Sequence, residues 1–299
     1  MLREYVLDPN LVLEWAENKE QEERFYERFC PFTSRLVSTF PGGDWEKILN
    51  THALELARDD PKKGAKLQKI MARVLRYSFR RSGSSIETID EWYDLAKKEL
   101  GPEIPILTRQ RLTNDNTVID VKKTLHTQPK WCLPSVIIKK TVSDMVGAIE
   151  PLLRRGTSIH FIDPYFSLER EGYKPIYEEY FRIALDGRSN DGIELYVHTD
   201  QNKQIDGDMK NGFQGILPAG GCLEVHAWNN LAFNESLHDR FILTREAGVM
   251  LSSGTNAYLG QRGRTVRISM LDEANLDRIW KTYASNSPAT PSAEVWKSR

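Results

Sequence analysis

Apolar and polar positions repeat with two different periods along this chain of 299 residues, and the change falls before the middle. The first hundred residues carry helical spacing. Leu11, Trp15, Phe25 and Phe29 stand among many glutamates and predict a helix over Leu11 to Phe29. A second helix is expected over Trp45 to Ala57, after the turn Pro41-Gly42-Gly43. Asp60-Pro61 opens a third, because proline suits the first helical turn, where its missing N–H has no partner to lose. Ser82-Gly83-Ser84-Ser85 breaks it, Ile86 to Leu100 reads as a fourth, and Gly101-Pro102 ends that one.

Residues from about Thr108 to Pro134 are polar and mixed, which places a domain boundary there. Beyond them strands and helices alternate. Ser135 to Ile138, Ser158 to Ile162, Ile193 to His198, Leu223 to Trp228, Phe241 to Leu243 and Val249 to Leu251 read as strands. Val142 to Arg154, with Pro151 as a possible kink, Pro175 to Leu185 and Asp272 to Tyr283 read as helices. This alternation indicates an α/β domain. The expected units are therefore a mainly helical N-terminal domain (1–112), an α/β domain (113–284) and a mobile Ser/Pro/Ala-rich tail (285–299), in which Trp296 is suited to docking.

Composition narrows the function only by exclusion. The formal net charge is −1, so attraction to nucleic acid has to come from a local patch. Cys30, Cys132 and Cys222 are far apart and odd in number, which argues for reduced thiols and against a disulfide framework or a zinc site. No stretch approaches the ~20 apolar residues of a membrane span, and Met1 to Tyr5 opens no signal peptide. The expectation is a soluble, cytoplasmic protein without metal or cofactor.

The candidate chemistry lies in Leu237-His238-Asp239-Arg240-Phe241-Ile242-Leu243-Thr244 and in Ser253-Gly254-Thr255-Asn256 downstream. On a strand His238 and Arg240 share a face. An imidazole can attack phosphorus or donate a proton, and a guanidinium can hold two non-bridging oxygens. A surface ion-pair cluster is the bland alternative for His-Asp-Arg. His160 and His226, inside strand-like runs, read as satisfied core histidines. His198, at a strand end, lies on a loop surface or lines the same cleft. Neither these nor His52 and His126 are followed by a basic residue two positions on, so the chain carries one such signature.

This segment resembles the H-x-K signature of the phospholipase D superfamily, in its H-D-R-F form, and Ile162-Asp163-Pro164-Tyr165-Phe166 resembles the strand end that opens the first half of that fold. The resemblance covers roughly Pro134 to Tyr283. It implies a phospholipase D-like domain, a mixed sheet flanked by helices, and a two-step reaction through a phosphohistidine without metal. His238 would be nucleophile or acid. Arg240 stands where the family has lysine, and the two cations are not equivalent donors. The aspartate expected seven residues after the histidine is Arg245 here, with Glu246 beside it. The usual Gly-Ser-x-Asn reads with glycine and serine exchanged, which makes Asn256, Ser253 and Glu246 further candidates.

A second feature is basic. At ~100° per residue, Lys62, Lys66, Lys69, Arg73, Arg76 and Arg80 fall on one helical face, opposite Leu67, Met71, Val74 and Leu75. The stripe is a phosphate-binding surface, a plain solvated face, or a face neutralised internally by the glutamates of the first helix. Together these features predict a metal-independent phosphodiesterase acting on nucleic acid, DNA before RNA, as a homodimer. Prokaryotic proteins of this look suggest, by analogy alone, defence against phage or foreign DNA, with other defence proteins as partners. The rival is an inactive phospholipase D-like subunit that binds nucleic acid or scaffolds a complex; recognition of phospholipid headgroups by the same cleft is a further alternative.

Overall fold

The computed structural model describes residues 3–29, 35–101, 104–108, 118–120, 135–186, 188, 192–200, 207–228, 240–258, 263–284 and 294–298. The chain divides into two compact units, which meet along the sequence between Leu133 and Pro134.

The first unit is helical over most of its described residues but also holds a sheet that the sequence reading did not include. It contains a five-stranded parallel sheet, order β3-β2-β1-β4-β5, built from β1 (Arg3–Leu7), β2 (Arg35–Thr39), β3 (Ser78–Arg80), β4 (Ile106–Thr108) and β5 (Val118–Asp120). Parallel pairing needs crossovers, and the connections carry α1 (Pro9–Glu17), α2 (Lys19–Phe29), α3 (Gly42–Asp59), α4 (Pro61–Tyr77) and α5 (Trp92–Glu99). The strands escaped the sequence reading for a physical reason. They are short, and β1 to β4 are buried over most of their length, so no period of two is visible, and buried polar groups interrupt their apolar runs. Glu4 is one; it accepts from Ser38 Oγ and from Arg81 Nη1 at 2.9 Å. The predicted first helix is two helices, broken at the extended Asn18. Pairing of β5 with β4 also carries this unit past residue 112. Its core gathers Tyr5, Leu7, Trp15, Phe25, Trp45, Leu67, Val74 and Trp92.

The second unit is the expected α/β arrangement, a mixed sheet flanked by helices. Its eight strands run β13-β9-β8-β7-β10-β11-β12-β6. They are β6 (Ser135–Lys139), β7 (Ser158–Ile162), β8 (Glu194–Asp200), β9 (Cys222–Trp228), β10 (Arg240–Leu243), β11 (Gly248–Leu251), β12 (Thr265–Met270) and β13 (Glu294–Lys297). β7, β8 and β9 are parallel neighbours, and the remaining pairings are antiparallel. Four helices of the described residues accompany them: α6 (Val142–Arg155), α7 (Tyr173–Leu185), α8 (Gly207–Ile216) and α9 (Glu273–Tyr283). Pro151 does not end α6, which continues to Arg155. Alternation along β7 sends Phe161 to Tyr177 and Tyr180 of α7, and Ile162 to Leu276 and Ile279 of α9. Within the tail, β13 pairs with β9, and Trp296 docks by stacking on Phe213 of α8 at 6.0 Å. Cys222 is an exposed free thiol; Cys30 and Cys132 lie outside the described residues.

Neighbouring strands also line up the histidines. The indole N–H of Trp228 donates to His198 Nδ1 at 2.9 Å, and His198 Nε2 lies 3.0 Å from His160 Nδ1. An indole can only donate, so the proton of His198 is on Nε2 and points to His160, whose own Nε2–H faces Ser158 Oγ at 2.9 Å. Both rings are locked neutral. Burial, with the neighbouring histidines, pushes His160 down to about 3 and His198 well below the usual histidine range. His198 is thus a core group rather than a loop or cleft residue.

This relay sets a pH dependence. Below the unfolded-state value of about 6.5 the unfolded chain takes up protons that the folded chain refuses, so stability falls as pH drops from there toward about 3. The expected loss approaches about 1.4 kcal/mol per pH unit for each histidine. Thermal unfolding from pH 7.5 to 5.5 checks it: Tm should decline below pH 6.5, and a flat profile would contradict the relay.

Candidate functional site

The cleft is organised by one buried carboxylate. β7 ends at Ile162, and Asp163 follows it, fully buried. Its Oδ1 accepts from the Tyr165 amide at 3.0 Å, a local turn that aspartate before Pro164 favours. Its Oδ2 accepts from the Tyr173 hydroxyl at 3.0 Å and from both the amide and the hydroxyl of Thr255 at 2.8 Å. Since Thr255 spends its hydroxyl proton on Asp163, the Tyr177 hydroxyl donates to Thr255 at 2.9 Å. Burial, reinforced by Asp163, keeps Tyr173 and Tyr177 protonated far above the ordinary phenol range. Arg240 Nε lies 4.0 Å from Asp163 Oδ1, and its guanidinium is 4.9 Å from the Tyr165 ring centroid.

Gly254 permits the turn that delivers Thr255. Its φ is +75°, and a Cβ there would lie 2.7 Å from Asn256 Oδ1. That explains the exchanged order of Ser253 and Gly254: the hydroxyl that reaches Asp163 comes from Thr255. Ser253 contributes its backbone carbonyl, which accepts from Lys140 Nζ, and Asn256 Oδ1 accepts from the same ammonium at 2.9 Å. Lys140 follows β6 and was not anticipated. Burial lowers its pKa; Asp163 opposes that shift, while Arg240 and Arg264 add to it.

The resulting cleft of about 760 Å³ is lined by Lys140, Tyr165, Arg170, Glu171, Tyr173, Arg240, Ser253, Gly254, Asn256, Gly263, Arg264 and Thr265. Four of these are cations and one is a carboxylate. Cations such as Lys140 and Arg240 can donate charge-assisted hydrogen bonds to the oxygens of an anion. Of the sequence candidates, Arg240, Ser253 and Asn256 meet here. His238 lies outside the described residues; it precedes Arg240 by two positions.

Glu246 does not join them. β10 runs antiparallel to β7, with Phe241 beside Ile162 and Leu243 beside His160, so the β10–β11 turn carrying Glu246 lies at the end of β7 opposite Asp163. Burial raises its pKa, and its Oε2 has no hydrogen-bond partner among the described residues. Arg245, in the position where an aspartate was expected, faces Asp277 at 3.8 Å and the Trp280 ring.

The basic stripe belongs to the first unit. Lys66 Nζ donates to the Ala16 carbonyl at 2.6 Å. Arg73 lies 3.9 Å from Glu22 and 3.7 Å above the Tyr26 ring centroid. Arg76 lies over Tyr77, and Arg80, on β3 rather than on the helix, pairs with Glu46 at 2.7 Å. Lys62 and Lys69 are exposed. Of the stripe, Arg73 faces a glutamate of the Leu11 to Phe29 segment, whereas Lys66, Arg76 and Arg80 meet a carbonyl, a ring and Glu46. Among the described residues no three His, Cys, Asp or Glu side chains are grouped to hold a metal ion, and no helix is long and apolar enough to cross a membrane.

Removing the Asp163 carboxylate strands the Tyr173 hydroxyl and both Thr255 donors. Each such loss costs about 1–3 kcal/mol, so Asp163→Ala should lower unfolding free energy in urea by about 3 kcal/mol or more. Tyr173→Phe should cost about 1 kcal/mol. Equal, small effects would show that the carboxylate does not hold the cleft together.

No family model matches the chain, and no curated protein matches it. A solved structure described as "Structure of TrmBL2, an archaeal chromatin protein, shows a novel mode of DNA binding" is 11% identical, with 55% of each chain covered and a TM-score of 0.28. The chain thus spans about half the length of that protein, and a likeness this low carries no argument.

Proposed function

We propose that this chain is a phospholipase D-like phosphodiesterase that acts on nucleic acid without a metal ion. The observation that supports it is the convergence of Lys140 and Arg240 in one cleft, beside the strand that His238 leads into. The signature's missing lysine has a counterpart from another strand. In the proposed reaction an imidazole nitrogen of His238 bonds to phosphorus and the leaving oxygen departs with a proton. Water then displaces the histidine, breaking the N–P bond. Lys140 and Arg240 neutralise the charge that develops on the non-bridging oxygens, the work a metal ion does elsewhere. A two-fold homodimer would supply the second histidine as the acid. Binding without turnover is a second reading. It is favoured by the position of Glu246 and by the hydrogen bonding of Asp163; among the described residues the carboxylate lining the cleft is Glu171.

Cleavage of single-stranded and plasmid DNA in excess EDTA separates the two. The first reading expects activity that falls at least about 100-fold in His238→Ala and about 100- to 1,000-fold in Lys140→Ala, with Glu246→Gln unchanged. Binding without cleavage supports the second reading; full activity of His238→Ala refutes the first.

Light scattering tests the dimer. An active preparation should be dimeric at micromolar concentration, and an active monomer would remove the second histidine from the mechanism.

A further inference from the structure

The cleft holds something a phosphate alone does not require. Among the described residues Leu54, Ile137 and Tyr165 are the large hydrophobic side chains most exposed, and of these Tyr165, at 36%, lines the cleft. Its ring is held in place. Pro164 precedes it, its amide is tied to Asp163, and the Arg240 guanidinium lies over the ring. A second pair repeats the arrangement: Arg264 lies 4.6 Å from the Tyr258 ring centroid. Both residues of this second pair join the backbone of Lys140, whose amide donates to the Arg264 carbonyl at 2.8 Å and whose carbonyl accepts from the Tyr258 amide at 2.6 Å.

A ligand that answers both features presents an anion for the guanidinium and a flat π-face for the ring. A nucleotide does, whereas an inorganic phosphate or a lipid headgroup offers only the anion. Bases in a duplex are already stacked and cannot offer their faces to a side chain, while those of a single strand can. We propose that the cleft takes single-stranded nucleic acid, with the base next to the bound phosphate stacked on Tyr165. This rests on the reading of the cleft as a phosphodiester site and adds its substrate class.

Fluorescence anisotropy with a labelled oligothymidylate, an abasic oligomer of equal length and a duplex tests it. Wild type should bind the oligothymidylate most tightly. Tyr165→Leu should lose about ten-fold in affinity for it, bind the abasic oligomer as wild type does, and be matched by a folded Tyr165→Phe that keeps full affinity. Equal wild-type affinity for base-bearing and abasic strands, an unaffected Tyr165→Leu, or preference for the duplex would overturn the stacking while leaving the phosphate cleft standing. Failure to bind any of the three polyanions would overturn both.

Discussion

Everything in the second unit's cleft hangs on the buried Asp163 carboxylate. It collects donors from the strand end it belongs to, from the start of α7 through Tyr173, and from the turn after β11 through Thr255. Two segments 10 residues apart and a third 92 residues after the first are thereby fixed against one another. A buried carboxylate is tolerable only when its lone pairs are used, and here they are. The same saturation assigns its role. With its oxygens engaged, Asp163 anchors the turn whose Ser253 carbonyl and Asn256 side chain hold Lys140, and Arg240 Nε lies 4.0 Å from it.

The cations then follow from electrostatics. Lys140 is largely buried and held between a carbonyl and the Asn256 side chain, with Arg240 and Arg264 near enough to lower its pKa. One interior carboxylate does not offset this concentration of positive charge. An anion entering the cleft relieves like-charge repulsion as well as forming its own hydrogen bonds, and does so where water screens little. That the whole chain carries a net charge of −1 is no obstacle, because the field is local.

How much of this the sequence disclosed differs between the units. β6 to β11 were read nearly in place, since their β-branched runs are bounded by turns and alternate visibly. β12 and α8 were not anticipated. In the first unit the parallel strands passed unnoticed because buried polar residues such as Arg35, Ser38 and Thr39 break the apolar pattern, while the amphipathic helices between them are conspicuous. For the cleft, Arg240 was legible from a short motif. Lys140 and Thr255 were not, because their proximity to Arg240 depends on the strand order β10-β11-β12-β6, which no local spacing reveals. The one available hint was a lysine closing a strand-like run at Ser135 to Lys139.

Two groups of cations therefore looked alike in the sequence and differ in the fold. On α4 and β3, Lys66, Arg73 and Arg80 are engaged by a carbonyl, by Glu22 with the Tyr26 ring, and by Glu46. Such exposed contacts are worth little individually, but at these three residues an anion would have to compete with partners already present. In the cleft the cations lie near one another and share a single buried carboxylate already committed to other donors. A count of basic residues along the sequence singles out the helix, whereas the fold brings Lys140, Arg240 and Arg264 together from the ends of separate strands, so spacing along the chain does not by itself locate where cations converge.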